Sequence, residues 1–317
     1  MKSNAGKTRK CRNAVLIAGL ALAVVAGAVV TRTSNWTLTR KSQTTFQSPA
    51  QAGAALAKAA KNGDESTLAK ILGADTKAIL TTGDKAADTA AMTAFATKYE
   101  KMNRWVDMTD GSRVLYIGAD NFAFPVPLAR NSSGKWYFDG VAGAQEIRSR
   151  EIGRNELLAI DAFSALSDAQ EMYFADSDYA AFAQRIVSTA GKQDGLYWPV
   201  SDNQDASPLA SLGEFPKASL RSLSADQPLV IDGYEVRILT AQGGDAPGGA
   251  RNYIVDGQMT GGFAFLATPV KYAETGMMTF MTGFDGVVYE RDLGPDTAKL
   301  AASIKEFNPT DDWSQVE

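Results

Sequence analysis

The sequence predicts an α+β protein built around one long helix, and three observations carry that prediction. Residues 46–141 pass from helix-period patterning into four short strand-like segments joined by turn residues. The stretch Ala142–Phe174 then reads as one helix, roughly 50 Å long at the standard rise per residue. From Tyr234 onward, apolar runs separated by Asp-Gly pairs read as an antiparallel β-meander. This divides the chain into an N-terminal α+β domain at 46–141 and a long helix with its own sheet at 142–317.

Ahead of these lies a targeting segment at 1–30. Lys2, Lys7, Arg9, Lys10 and Arg12 precede the uncharged run Ala14–Val30, and Ala26-Gly27-Ala28 offers a small-x-small cleavage site. The layout fits a secretion signal or, left uncleaved, a membrane anchor in contact with the bilayer through residues 14–30. Either way the body is expected to be exported to the periplasm, anchored to the inner membrane if the segment is retained. Cys11 stands before the apolar run, so it is not the acylated cysteine of a lipoprotein. The polar stretch 31–45 reads as a flexible linker.

Ser48 and Gln51 form a capping box with Pro49 at the first helical position, so a helix opens there and runs to about Asn62. Asp64 caps a second helix through Leu72. Asp84 caps a third, ending near Asn103 with Met92, Phe95, Tyr99 and Met102 on one side. Strands are predicted at Trp105–Thr109, Arg113–Ile117, Phe122–Leu128 and Lys135–Phe138, linked by Asp110-Gly111, Gly118-Ala119-Asp120 and Asn131–Gly134. In the central helix the first half is charged. In the second half Asp161, Ser164, Asp168 and Glu171 form one narrow polar stripe, and the wide apolar remainder predicts burial against a sheet. Gly153 is the weak point at which two helices are the alternative.

A short amphipathic segment at Tyr179–Ile186 follows, then the loop Ser188–Pro199. Strands are predicted at Tyr234–Ala241, Gly262–Thr268, Met277–Thr282 and Val287–Arg291, with turns at Asp232-Gly233, Asp256-Gly257 and Asp285-Gly286. Gly243–Gly249 lacks dinucleotide-binding and P-loop spacing and reads as a loop between strands. A last helix capped near Asp296 carries Leu300, Ile304 and Phe307.

Composition narrows the chemistry. The chain has no histidine and one cysteine, so Ser-His-Asp and Cys-His nucleophiles, His- or Cys-ligated zinc and disulfides are closed to it. No catalytic residue, metal ligand or cofactor is assigned. With 32 basic residues against 36 acidic, and five of the basic ones in the leader, the body is acidic. Nucleic acid is not expected as a partner. Two groups are candidate binding residues. Trp105, Tyr116 and Trp136, with Phe124, are placed to line a pocket between helices and sheet, or else to pack the core. In the Ser188–Pro199 loop, Lys192 and Asp194 lie beside the aromatic pair Tyr197 and Trp198, which are either exposed for binding or folded back onto the core. Asp176-Ser177-Asp178 reads as a helix-capping turn.

Several motifs, FQSPAQA at Phe46, IGRNELLAI at Ile152, STAGKQDGLYWP at Ser188, RILTAQG at Arg237 and the run from Gly261 through MMTF to DGVVYERDLGPDT, resemble an exported bacterial domain-of-unknown-function family of the DUF2950 type. That resemblance implies an envelope location and carries no catalytic residue with it. The opening FQSPAQAGAALAKAAKNGDESTLAKIL is similar to the first helices of NTF2-like cone domains. NELLAIDAFSALSDAQEMYF, DGYEVRIL and GGFAFLATPVKYAETGMMTFMTGFDGVVY resemble in order the globular head of type IV pilins and pseudopilins, which implies a long helix across a four-stranded antiparallel sheet. Here the helix lies mid-chain, its first half is charged and no prepilin cleavage site precedes it.

Three functions fit these readings. The first is a non-catalytic structural or interaction module of the cell envelope with a protein partner. The second is a periplasmic small-ligand-binding protein. The third is a hydrolase working through carboxylates alone, with Asp120, Asp194 and Asp285 as candidates.

Overall fold

The structure, a computed structural model, describes residues 43–73, 83–199, 206–213 and 228–316, all within the unit Ser42–Glu317. The targeting segment at 1–30 and residues 31–42 of the linker lie outside the described residues. Residues 43–45, the end of that linker, are tied to the N-terminal core. The Gln43 amide donates to Ile71 O (3.0 Å) and Phe138 O (2.7 Å), and Thr44 N–H donates to Lys70 O (2.9 Å). Among the described residues no helix is long and apolar enough to cross a membrane.

The first three helices start at their predicted caps. Ser48 Oγ accepts from Gln51 N at the head of α1 (Pro49–Lys61), and the Gln51 side chain accepts in return from Gln47 N. Asp64 caps α2 (Glu65–Leu72) and Asp84 caps α3 (Lys85–Lys101). A sheet follows: β1 (Asn103–Asp107), β2 (Arg113–Ile117), β3 (Phe122–Ala123), β4 (Leu128–Arg130) and β5 (Trp136–Phe138). Its order is β1-β2-β4-β5, with β3 also on β2, and every pairing is antiparallel. The strand predicted at Phe122–Leu128 is two short pieces, because Pro125 and Pro127 have no N–H to donate to a ladder. Leu56, Ile71, Leu128, Trp136 and Phe138 centre this core.

Asp139 then accepts from Val141 N and Ala142 N and opens α4 (Gly140–Asp176), two residues before its predicted start and unbroken at Gly153. Its first turn packs on the N-terminal core, where a Cβ on Gly143 would stand 2.7 Å from Val126. Its second half crosses the larger sheet. Asp161, Ser164, Asp168 and Glu171 are exposed, and Ala159, Phe163, Leu166 and Ala169 are buried. Leu157, expected in the apolar arc, is 63% exposed. It stands one turn before Asp161, in line with the polar stripe. Asn155 Nδ2 donates to Thr275 O, and Glu156 Oε1 accepts from Met277 N and Met278 N, fixing the helix along the sheet.

After α5 (Pro208–Leu212) come β6 (Leu229–Ile231), β7 (Tyr234–Leu239), β8 (Ala241–Gln242), β9 (Arg251–Asn252), β10 (Ile254–Val255), β11 (Gln258–Met259), β12 (Ala264–Pro269), β13 (Met278–Gly283), β14 (Val288–Asp292), α6 (Thr297–Ser303) and β15 (Ser314–Gln315). The large sheet runs β15-β14-β13-β12-β7-β6, antiparallel throughout, with β8–β9 and β10–β11 as separate hairpins inserted between β7 and β12. The pilin resemblance implied four strands; there are six. Asp232-Gly233 and Asp256-Gly257 have φ of 43°, 84°, 50° and 81°, the two positive values that a type I′ hairpin turn requires. Phe163 of α4 stacks on Phe265 of β12 with ring centroids 6.2 Å apart.

The amphipathic segment Tyr179–Ile186 is extended chain: the buried Gln170 amide donates to Ala183 O and accepts from Ala183 N, and Phe182 bridges to Met259, so its backbone is paired. One element differs from expectation. The last helix stops at Ser303, where Arg237 donates to Ala301 O and Ile304 O; Phe307 reaches the core from an extended segment alongside β8.

The loop at Gly243–Gly249 is organised by one buried side chain. Gln242 Nε2 donates to Pro247 O and Gly249 O, while its Oε1 accepts from Arg251 and from the Tyr253 hydroxyl. Gln242→Leu takes the partner from the Pro247 and Gly249 carbonyls and leaves the buried Tyr253 phenol unpaired, and is expected to lower stability by about 1–3 kcal/mol, read from urea midpoints.

Candidate functional site

Two cavities are candidates, one in each core region. The first lies between α1, α2, α3 and the loop from β3 to β4. It is an open-sided pocket of about 390 Å³ lined by Leu56, Leu68, Leu72, Met92, Phe95 and Val126 among others, with Asp88 as the charged member. The sequence explains why the space is left open. The first half of α3, KAADTAAM, presents alanines where larger side chains would fill the gap to α1 and α2. Most of that half-helix is exposed, while farther along Ala96 is buried and Phe95 tilts onto Phe124 at 5.1 Å.

The second cavity, about 260 Å³, sits at the C-terminal end of α4. Tyr173, Asp176, Ser177, Asp178 and Tyr179 form one wall, and Gln193, Trp198 and Pro208 the other. The Ser177 hydroxyl accepts from Tyr179 N and Ala181 N, so this triplet is the predicted capping turn. Burial, helped by Asp194, pushes the Tyr173 phenol above its ordinary pKa.

The predicted residues divide between these cavities and the core. Phe124 lines the first cavity; Trp105, Tyr116 and Trp136 do not. Trp136 is 4% exposed, with the Arg130 and Arg113 guanidinium groups 4.5 and 5.2 Å from its ring. Trp105 packs 6.4 Å from Phe138, and Tyr116 lies under Arg104. Trp136 belongs to the N-terminal core and Trp105 packs against it, while Tyr116 is half-buried outside it.

In the Ser188–Pro199 loop, Tyr197 is 4% exposed, and its backbone pairs with Ile186 and Ser188. Gly195 is required there, since a Cβ would stand 2.8 Å from Ser188 N. Asp194 accepts from Thr189 N and Thr189 Oγ1. Burial pushes its carboxyl up, but those two bonds and Arg185 outweigh burial and hold it below the usual carboxylate range. Lys192 is exposed, and Trp198 alone of the four lines the second cavity.

The hydrolase candidates serve their own turns. Asp120 pairs with Lys98 at 2.6 Å, which lowers its pKa, and Asp285 accepts from Val287 N. The carboxylates that do feel each other are Glu156 and Glu290. Burial first, then the Glu156 charge, raises the Glu290 pKa, while Glu156 is engaged by the β13 amides.

A family model described as "Protein of unknown function (DUF2950)" matches residues 43–316. No curated protein and no solved structure matches the chain significantly.

Proposed function

The chain belongs to the DUF2950 family, and from its own geometry we propose that it is a non-catalytic binding module of the cell envelope whose N-terminal cavity holds an aliphatic chain. One observation carries this reading: an apolar space of about 390 Å³ bounded by α1, α2 and α3. That volume lies within the range of about 300–1,000 Å³ typical of small-molecule sites, which are likewise mostly apolar. A gap of this size in a core would otherwise forfeit dispersion contacts along its whole lining. Export belongs to the same reading, supported by the basic cluster ahead of Ala14–Val30. An aqueous compartment between membranes is one where a hydrocarbon group gains by enclosure.

The test is a fluorescence titration with the neutral probe 1-N-phenylnaphthylamine, with dodecanol as competitor. Ala91 lines the cavity from an exposed helix, so Ala91→Phe fills the space without disturbing the buried core. Saturable binding, displaced by dodecanol and weakened about tenfold or more by Ala91→Phe at unchanged melting temperature, is expected. Probe binding that does not saturate, or is indifferent to Ala91→Phe, would refute the reading.

A further inference from the structure

The C-terminal end of α4 is charged against its own electrostatics. The last turn of a helix exposes carbonyl groups and the negative end of the helix dipole, where cations are favoured and anions disfavoured. The last turn of α4 carries no basic residue; instead Asp176 closes it and Asp178 follows two positions later. Both carboxylates line the cavity of about 260 Å³, and among the described residues no lysine or arginine does.

Three aromatic rings share the cavity with these carboxylates. Tyr173 on α4, Tyr179 just after it and Trp198 on the opposite loop all line the same space. Tyr179 is 70% exposed, although an aromatic ring gains most from being covered. The positions are held by the chain. Tyr173 Oη donates to Gln193 O, joining the helix to the opposite loop, and the Ser177 hydroxyl accepts from Tyr179 N and fixes the turn that carries that ring. Ala180 beside it has φ of 46°, a left-handed conformation that an alanine rarely adopts.

Aromatic faces attract a cation through the ring quadrupole, carboxylates and a helix C-terminus attract it by charge, and a cavity rewards a cation with carbon around it over a hydrated metal ion. We propose that this cavity binds an organic ammonium group, with Tyr173, Tyr179 and Trp198 against its alkyl face and Asp176 and Asp178 balancing its charge. The site is separate from the apolar cavity, and the proposal does not depend on that reading. The same ammonium chemistry is offered by a free amine and by a choline lipid headgroup.

The probe is tetramethylammonium chloride, titrated into the full chain by calorimetry against sodium chloride at equal ionic strength. Saturable binding by the ammonium salt alone is expected. Tyr179→Ala is expected to weaken it at least fivefold, and Asp176→Asn with Asp178→Asn at least tenfold, with the unliganded melting temperature held or raised because like charge leaves a helix end. Phosphatidylcholine vesicles form a second arm. Co-sedimentation that tetramethylammonium reverses identifies a headgroup as the source, and its absence alongside calorimetric binding identifies a free amine. Equal heats from sodium and tetramethylammonium, calcium binding without ammonium binding, or affinity indifferent to Tyr179→Ala would each overturn the proposal.

Discussion

Replacing Gly276 with alanine is expected to destabilise the fold by about 3 kcal/mol, at the upper end of what overpacking a buried site does. A Cβ at this position would stand 2.0 Å from the Tyr234 hydroxyl and 2.4 Å from the ring carbon that bears it. No rotamer adjustment of a few tenths of an ångström relieves contacts that short. Tyr234 is fully buried, donates to Met278 O at 2.9 Å and packs against Phe280. The backbone of 275–278 is equally constrained, because Asn155 and Glu156 of α4 are bonded to it. One added methyl group therefore strains the junction between the long helix and the sheet. Urea unfolding of Gly276→Ala, Tyr234→Leu and the double variant gives the check. The shorter leucine vacates the contested space, so the double variant should be more stable than the sum of the singles by about 1 kcal/mol or more. Additive losses would place the strain elsewhere.

That junction marks how far the sequence could be read. Helix starts were legible because they are local: Ser48, Asp64 and Asp84 each cap a helix with their own side chain, a bond made within three residues. The long helix and its polar stripe were legible from periodicity, and the hairpins from Asp-Gly pairs whose φ values few other residues tolerate. What escaped depends on partners far along the chain. The amphipathic pattern at Tyr179–Ile186 leaves its element type open; Gln170 pairs the backbone of Ala183 and holds it extended, and nothing within that octapeptide signals it. Likewise β15 is a short edge strand that exists because β14, more than twenty residues earlier, offers a free ladder.

The candidate sites were read less well, for a related reason. The sequence leaves open whether the aromatic residues line a pocket or pack the core, because large rings serve either use; Trp105, Trp136 and Tyr197 pack the core. The apolar cavity is bounded instead by leucines and alanines of α1, α2 and α3. The available signal was the run of alanines in α3, an apolar face too small to meet its neighbours. At the end of α4 the signal was electrostatic. Asp176-Ser177-Asp178 is the expected capping turn, and the same triplet sets two carboxylates against a helix C-terminus.

Alkaline titration should unfold this protein early and through two identifiable phenols. Tyr234 is 0% and Tyr253 1% exposed, and burial raises both pKa values above the ordinary phenol value of about 10. For Tyr253 burial outweighs the opposing Arg251 charge and pushes the value up to about 12. Tyr234 is raised further, first by burial and then by the charge of Glu156, with Glu290 adding to it. A raised native pKa means that the stabilisation is whole below the unfolded value and is lost as pH climbs from there towards the native value. Between about pH 10 and 12 the unfolded chain has released from these two phenols the protons that the native state still holds, so stability falls by about 1.4 kcal/mol per pH unit for each of them. Tyr253 alone then accounts for about 3 kcal/mol by pH 12, and Tyr234 for at least a similar loss. Urea midpoints followed from about pH 8 to about pH 11, with phenolate absorbance recorded alongside, measure the slope. Tyr234→Phe and Tyr253→Phe should each lower stability at neutral pH by losing a hydrogen bond, and each should flatten the alkaline slope by one proton. Packing damage alone shifts the curve without changing its slope. A wild-type slope that neither substitution alters would mean that these phenols reach water.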